Sequence, residues 1–215
     1  AMTIFRFAVQ ENSRNKLNLV LVCLLPFPLL LIPANEMTLP FGINLYGMLI
    51  FYSGFLLSRP LVEDRMKGII VRIASSPVSS LRYLGSHFAA YIILIGVQIL
   101  LFSTGSLLVY RLDPAIYLRL VPLYLSFAVM SICFALAWNN LFRVFNLSFG
   151  IFSGIGSVMC LISGISLPLT LIPQSIQNYV MFLPTYWLPF GIQAIDSRRS
   201  SGLILAHTLL LAYAA

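Results

Sequence analysis

Apolar stretches of roughly the 20 residues that a helix needs to cross a bilayer follow one another along the chain, separated by short polar turns. Their approximate boundaries are 17–32, 41–57, 83–110, 120–137 and 147–167, with a last run at 203–215. In lipid, a spanning segment must satisfy its own backbone hydrogen bonds, so runs of this length read as helices. Six such helices and their loops account for the 215 residues. The fold class expected is all-α: a polytopic membrane protein forming one transmembrane domain over 1–215. Composition agrees, since 60% of the residues are hydrophobic and 9% charged, against about 25% charged in soluble domains.

The basic residues set the topology. The formal charge of +7 comes from residues at the ends of apolar runs, with no aromatic-interleaved patch of the kind that grips nucleic acid. Arg6, Arg14, Lys16, Arg59, Arg65, Lys67, Arg72, Arg82 and Arg143 fall on one side, and Arg111, Arg119, Arg198 and Arg199 on the other. The positive-inside rule then places the N-terminus in the cytoplasm. No cleavage site of small residues precedes the first run, which is expected to remain in the membrane. Pro26 and Pro28 should kink or unwind it. In residues 4–11, Ile4, Phe5, Phe7, Ala8 and Val9 sit among Arg6, Gln10 and Glu11, as in an interfacial amphipathic stretch or a disordered tail. Ala1 before Met2 reads as a cloning remnant. The last run rises only about 20 Å as a helix against a hydrocarbon core of about 30 Å, so a sixth span and a cytoplasmic tail are expected to continue past Ala215.

Residues 168–201 are neither a clean span nor a polar loop. Pro168, Pro173, Pro184 and Pro189 cut this stretch into apolar pieces carrying Tyr179, Phe182, Tyr186, Trp187 and Phe190. Each piece is too short to cross, which suits either short helices re-entering from the outer face or an interfacial loop.

Several chemistries are missing. The chain has no G-x-x-x-x-G-K-[ST] phosphate loop, no H-E-x-x-H and no G-x-S-x-G. Any work derived from ATP must therefore enter through another subunit, and the chain is expected not to be an enzyme. His87 and His207 read as packing or interfacial residues rather than proton relays. Cys23, Cys133 and Cys160 lie inside apolar runs without metal or disulfide spacing. Small residues recur at helical spacing in the fifth run: Gly150 with Gly154, and Gly156 with Cys160 and Gly164. That pattern admits a close helix neighbour, either within the chain or on a second subunit.

The densest charge cluster lies between the second and third runs. It reads Glu63-Asp64-Arg65-Met66-Lys67-Gly68, then Arg72, then Ser75-Ser76-Pro77-Val78-Ser79, before Tyr83-Leu84-Gly85 opens the next span. Ser13-Arg14-Asn15-Lys16 enters the proline-containing first span, and Ser163-Gly164 leads to Pro168, Pro173 and Leu183-Pro184-Thr185-Tyr186. Together these segments resemble the membrane subunits (permeases) of ABC type-2 exporters, over nearly the whole chain. One departure is that Ile69, Ile70 and Val71 stand between Gly68 and Arg72, where the family commonly has threonine and an acidic residue.

The resemblance implies a cytoplasmic coupling helix at about 60–75 that docks on a cytosolic ABC ATPase subunit. Glu63, Asp64, Arg65, Lys67, Gly68, Arg72 and Pro77 would form that loop, with Ile69, Ile70 and Ile73 as its apolar face. It also implies a second permease subunit, identical or different, with Gly150, Gly154, Gly156 and Gly164 at the interface. Pro168, Pro173, Pro184 and Tyr186 would belong to an outer gate. ATP and magnesium would sit on the partner, and this chain would bind no cofactor. The expected setting is a bacterial inner or plasma membrane, and the expected cargo a drug, lipid or antimicrobial peptide, with a polysaccharide an alternative. The runner-up is a membrane sensor or scaffold that binds a cytosolic protein, and a third reading is a transporter driven by an ion gradient, against which the near-absence of ionisable residues within the spans counts.

Overall fold

The computed structural model describes residue 10 and residues 24–33, 39–68, 80–167 and 173–215. After a 3-10 turn at Phe27–Leu31, the helices are α1 (Phe41–Leu57), α2 (Arg59–Met66), α3 (Ser80–Val109), α4 (Pro114–Asn139), α5 (Phe145–Ile162), α6 (Gln174–Val180), α7 (Trp187–Asp196) and α8 (Ser200–Ala214), with a second 3-10 turn at Pro184–Tyr186. Among the described residues there is no strand. Four helical stretches are long and apolar enough to cross a membrane: Phe41–Met66, Arg82–Val109, Pro114–Asn139 and Phe145–Ile162.

The six expected spans map onto this set unevenly. The second matches α1 at both ends, and the third, fourth and fifth correspond to α3, α4 and α5. Helix α4 is longer than its apolar core because Asp113 caps it, accepting a hydrogen bond from the Ala115 amide at 3.1 Å, with Pro114 preset in the first turn. Residues 17–23 of the first span lie outside the described residues. Its end is a 3-10 turn, which fits the prolines at 26 and 28. The last run forms α8, a 15-residue helix shorter than a bilayer crossing.

The bundle is organised around α4, which packs against α1, α3, α7 and α8. Its middle joins the first two through an aromatic stack. Tyr46 of α1 lies on Phe102 of α3 with ring centroids 3.8 Å apart and meets the edge of Tyr124 of α4 at 5.0 Å. The Tyr124 hydroxyl donates to the Ile43 carbonyl at 2.8 Å. Gly54 lets the α1 and α4 backbones approach, since a Cβ there would lie 3.3 Å from backbone atoms of Ser131 and Ile132. Away from this core, Ile93, Val97, Leu100 and Leu108 of α3 are exposed, as apolar side chains are when lipid is their solvent.

Helix α5 is held differently. It meets the bundle mainly through an aromatic slab in which Phe152 stacks on Phe55 at 4.1 Å and on Phe51 at 5.0 Å. The Tyr52 hydroxyl adds contacts to the Ser153 carbonyl at 2.9 Å and the Ser157 hydroxyl at 2.8 Å.

At the other end of α1, the Tyr110 hydroxyl is shared between the carbonyls of Leu29 and Ile32, each at 3.0 Å, pinning the 3-10 turn. Gly42 lies directly beneath this turn, and a Cβ there would come within 2.4 Å of the Leu29 carbonyl oxygen. Because the obstruction is backbone, Gly42→Ala should push the turn off α1 and cost about 1–3 kcal/mol, read as a lower unfolding midpoint in detergent.

Candidate functional site

The charged residues singled out between the second and third spans fall on α2 and just beyond it. Pro60 explains why this helix is separate from α1. Its missing N–H and its ring deny the Leu56 carbonyl a helical partner, and the chain turns at Ser58 before resuming as α2. The expected helix at 60–75 is shorter than the sequence suggested. It begins at Arg59 and ends at Met66, because Gly68 at φ +68° takes the left-handed conformation that stops a helix. Residues 69–79, which include Ile69, Ile70, Arg72, Ile73 and Pro77, lie outside the described residues.

Within α2 the charged residues divide by face. Arg59, Glu63 and Lys67 point outward, with side chains 46%, 37% and 64% exposed, and Glu63 pairs with Arg59 at 2.6 Å and with Lys67 at 3.6 Å. Pairs of this kind on an exposed helix face add little stability, which leaves the stripe available for recognition. Asp64 and Arg65 reach neighbouring helices instead, Arg65 while itself staying exposed. Asp64 accepts a hydrogen bond from the Tyr83 hydroxyl of α3. Arg65 donates to the Asn140 side-chain carbonyl and, at 3.4 Å, to the Asn139 backbone carbonyl at the end of α4. Between these two anchors Leu61 and Val62 are buried. The Arg59 guanidinium also lies 5.3 Å from the centre of the Phe145 ring, at the start of α5.

Asn139 sits behind α2 and ties three helix ends together. Its amide nitrogen donates to the Ser58 hydroxyl at 2.6 Å, and its side-chain carbonyl accepts from the Ser148 hydroxyl at 2.7 Å. Ser58 in turn donates to the Phe55 carbonyl at 2.6 Å. All three side chains are buried. The turn between α1 and α2, the end of α4 and the start of α5 thus share one hydrogen-bonded unit.

Sequence reasoning missed Ser58, Tyr83, Asn139 and Ser148. The available signal was weak: single polar residues at the ends of apolar runs, where loops also begin. Their pairing spans 81 residues between Ser58 and Asn139.

The remaining expected residues separate as clearly. Gly150 and Gly154 face open space on the outward side of α5, beside exposed Leu147, Ile151 and Val158. Gly156 is used inside the chain, where a Cβ would stand 3.0 Å from the Phe51 ring. Gly164, at φ +91°, follows the C-terminal end of α5 in the left-handed conformation. Pro168 lies outside the described residues. Pro173 precedes α6, and Pro184 opens the 3-10 turn that contains Tyr186. Pro184 and Tyr186 are both buried, and the neighbouring Trp187 donates to the Met181 carbonyl at 3.1 Å.

Helices of spanning length, with a short charged helix anchored to them at one end, define a multi-pass membrane protein. A family model described as ABC-2 family transporter protein matches residues 33–213, and the chain belongs to that family. It is therefore a membrane permease component of an ABC transporter, a class that works with ABC ATPase partners. No curated protein and no solved structure matches the chain.

Replacing Asn139 with leucine strands the Ser148 hydroxyl and removes the side chain that joins the three helix ends. The expected cost is about 1–3 kcal/mol, seen as a lower thermal midpoint in detergent, and Ser148→Ala should lose less.

Proposed function

We propose that α2 is the coupling helix through which a cytosolic ATPase subunit drives this permease to export a hydrophobic or amphipathic substrate. The observation that carries this reading is the division of the α2 charges into a stripe paired along the helix itself and a pair, Asp64 and Arg65, tied to α3 and α4. The outward residues offer both charge signs for specific docking. The tied pair turns a push on α2 into a load on the helix ends that Asn139 connects. Because α2, α4 and α5 meet at one point, the movement reaches the span that carries the open glycine face.

In this reading a second permease subunit, identical or different, packs against α5 along Gly150 and Gly154, and the substrate path runs between the two subunits. The absence of side chains at those positions suits close helix approach. Pro173, Pro184 and Tyr186, with Pro168, close the path on the outside as short helices that do not cross. The full transporter would have six spans per permease, with the N-terminus in the cytoplasm of a bacterial inner or plasma membrane. ATP and magnesium would be held by the partner, which hydrolyses the nucleotide. The apolar character of the spans suits a drug, a lipid or an antimicrobial peptide.

The two faces of α2 should fail differently. A Glu63→Ala, Lys67→Ala double variant should lower ATPase capture in detergent about tenfold. Arg65→Met should still capture ATPase to within about twofold, yet lose the ATP-dependent change in distance between spin labels on α1 and α5. A folded wild-type permease that captures no ATPase under conditions preserving membrane complexes would sink the coupling role.

The open face of α5 makes a separate prediction: Gly150→Leu with Gly154→Leu should shift crosslinked permease from dimer toward monomer while the unfolding midpoint stays the same. An unchanged crosslinked fraction would remove α5 from the interface.

A further inference from the structure

At the end of α4 opposite α2, two turns converge. Residues Asp113, Ile116 and Arg119 from the start of α4, together with Ile195, Asp196 and Arg198 from the α7–α8 turn, line a pocket of about 360 Å³, within the roughly 300–1,000 Å³ typical of small-molecule sites. Two arginines and two aspartates thus line one solvent-open cavity, with Asp113, Asp196 and Arg198 exposed and Arg119 half-buried. Among the described residues no ion pair joins them, since the ion pairs present are those of Glu63 with Arg59 and Lys67. The Asp113 carboxylate accepts from the Ala115 amide.

The backbone at Arg198 is unusual for an arginine. Helix α7 ends in a Schellman turn, with the Arg199 amide bonded to the Ala194 carbonyl at 2.8 Å and the Arg198 amide to the Ile195 carbonyl at 3.1 Å. In this motif the residue after the cap takes a left-handed conformation that favours glycine. Here it is Arg198, at φ +55°. Local preference argues against arginine, and its side chain lines the pocket.

We propose that this pocket binds the headgroup of an aminophospholipid, with phosphate against Arg119 and Arg198 and ammonium against Asp113 and Asp196. Both signs of charge favour a zwitterion over a simple anion, because an anion alone leaves the two carboxylates repelling it. A lipid is the source because the pocket lies at the end of a span-length helix, where headgroups sit when such a helix crosses a bilayer, and has Ile116 and Ile195 in its lining. Leu118, next to Arg119, is 73% exposed on the lipid-facing surface. An ammonium that donates hydrogen bonds suits carboxylates better than a trimethylammonium.

The test uses the delipidated full chain and native mass spectrometry, with phosphatidylethanolamine, phosphatidylglycerol and phosphatidylcholine of matched acyl chains. Phosphatidylethanolamine should be retained about tenfold better than either rival, the effect of one charge-assisted hydrogen bond. Arg198→Gly should lose that retention while keeping or raising the unfolding midpoint, which separates binding from folding. Asp196→Asn should erase the preference over phosphatidylglycerol. Equal retention of the three lipids, or undiminished retention by Arg198→Gly, would overturn the site. Displacement of the lipid by an equal concentration of free phosphoethanolamine would overturn its assignment to a lipid.

Discussion

Everything that α2 can do depends on one buried carboxamide. Asn139 presents a donor and an acceptor in fixed directions, and Ser58 and Ser148 take them up from two other helix ends. In a low-dielectric interior such a bond is strong and an unmade one is costly, so the three ends have one good arrangement relative to each other. Apolar packing alone would tolerate a small slide. A satisfied polar unit does not.

The rest of the bundle grades from firm to loose around this point. Helix α4 packs on four neighbours, and its middle is locked by Tyr46, Phe102 and Tyr124. Helix α5 touches the same bundle chiefly through the Phe51, Phe55 and Phe152 slab and leaves Gly150 and Gly154 uncovered. Aromatic faces slide with less penalty than hydrogen-bonded pairs break. The chain thus combines an aromatic-packed centre, a hydrogen-bonded clamp at one end, and a helix with an uncovered glycine face.

The opposite end of α4 carries the other concentration of charge, at Asp113, Arg119, Asp196 and Arg198. Arg198 occupies a backbone position that glycine would fill more easily, a conflict between local preference and the residue present. The two ends therefore differ in kind. Charges around α2 are paired or anchored, whereas those at the pocket face a shared space.

Hydropathy and proline placement by themselves determined that the chain is all-α and crosses a membrane several times, that α1 runs from 41 to 57, and that the segment after α5 is cut into pieces too short to cross. Those features are local: bilayer thickness sets helix length, and proline acts on its own turn. The charge cluster and its flanking serines and proline were also enough to suggest the family. The sequence did not reveal which face of α2 each charge occupies, that Gly156 serves the chain's own core while Gly150 and Gly154 stay open, or that Asn139 joins Ser58 to Ser148. Those facts were decided by tertiary structure alone, because they depend on which helices lie side by side and how each is rotated, and residues 81 positions apart become partners only once the bundle has closed.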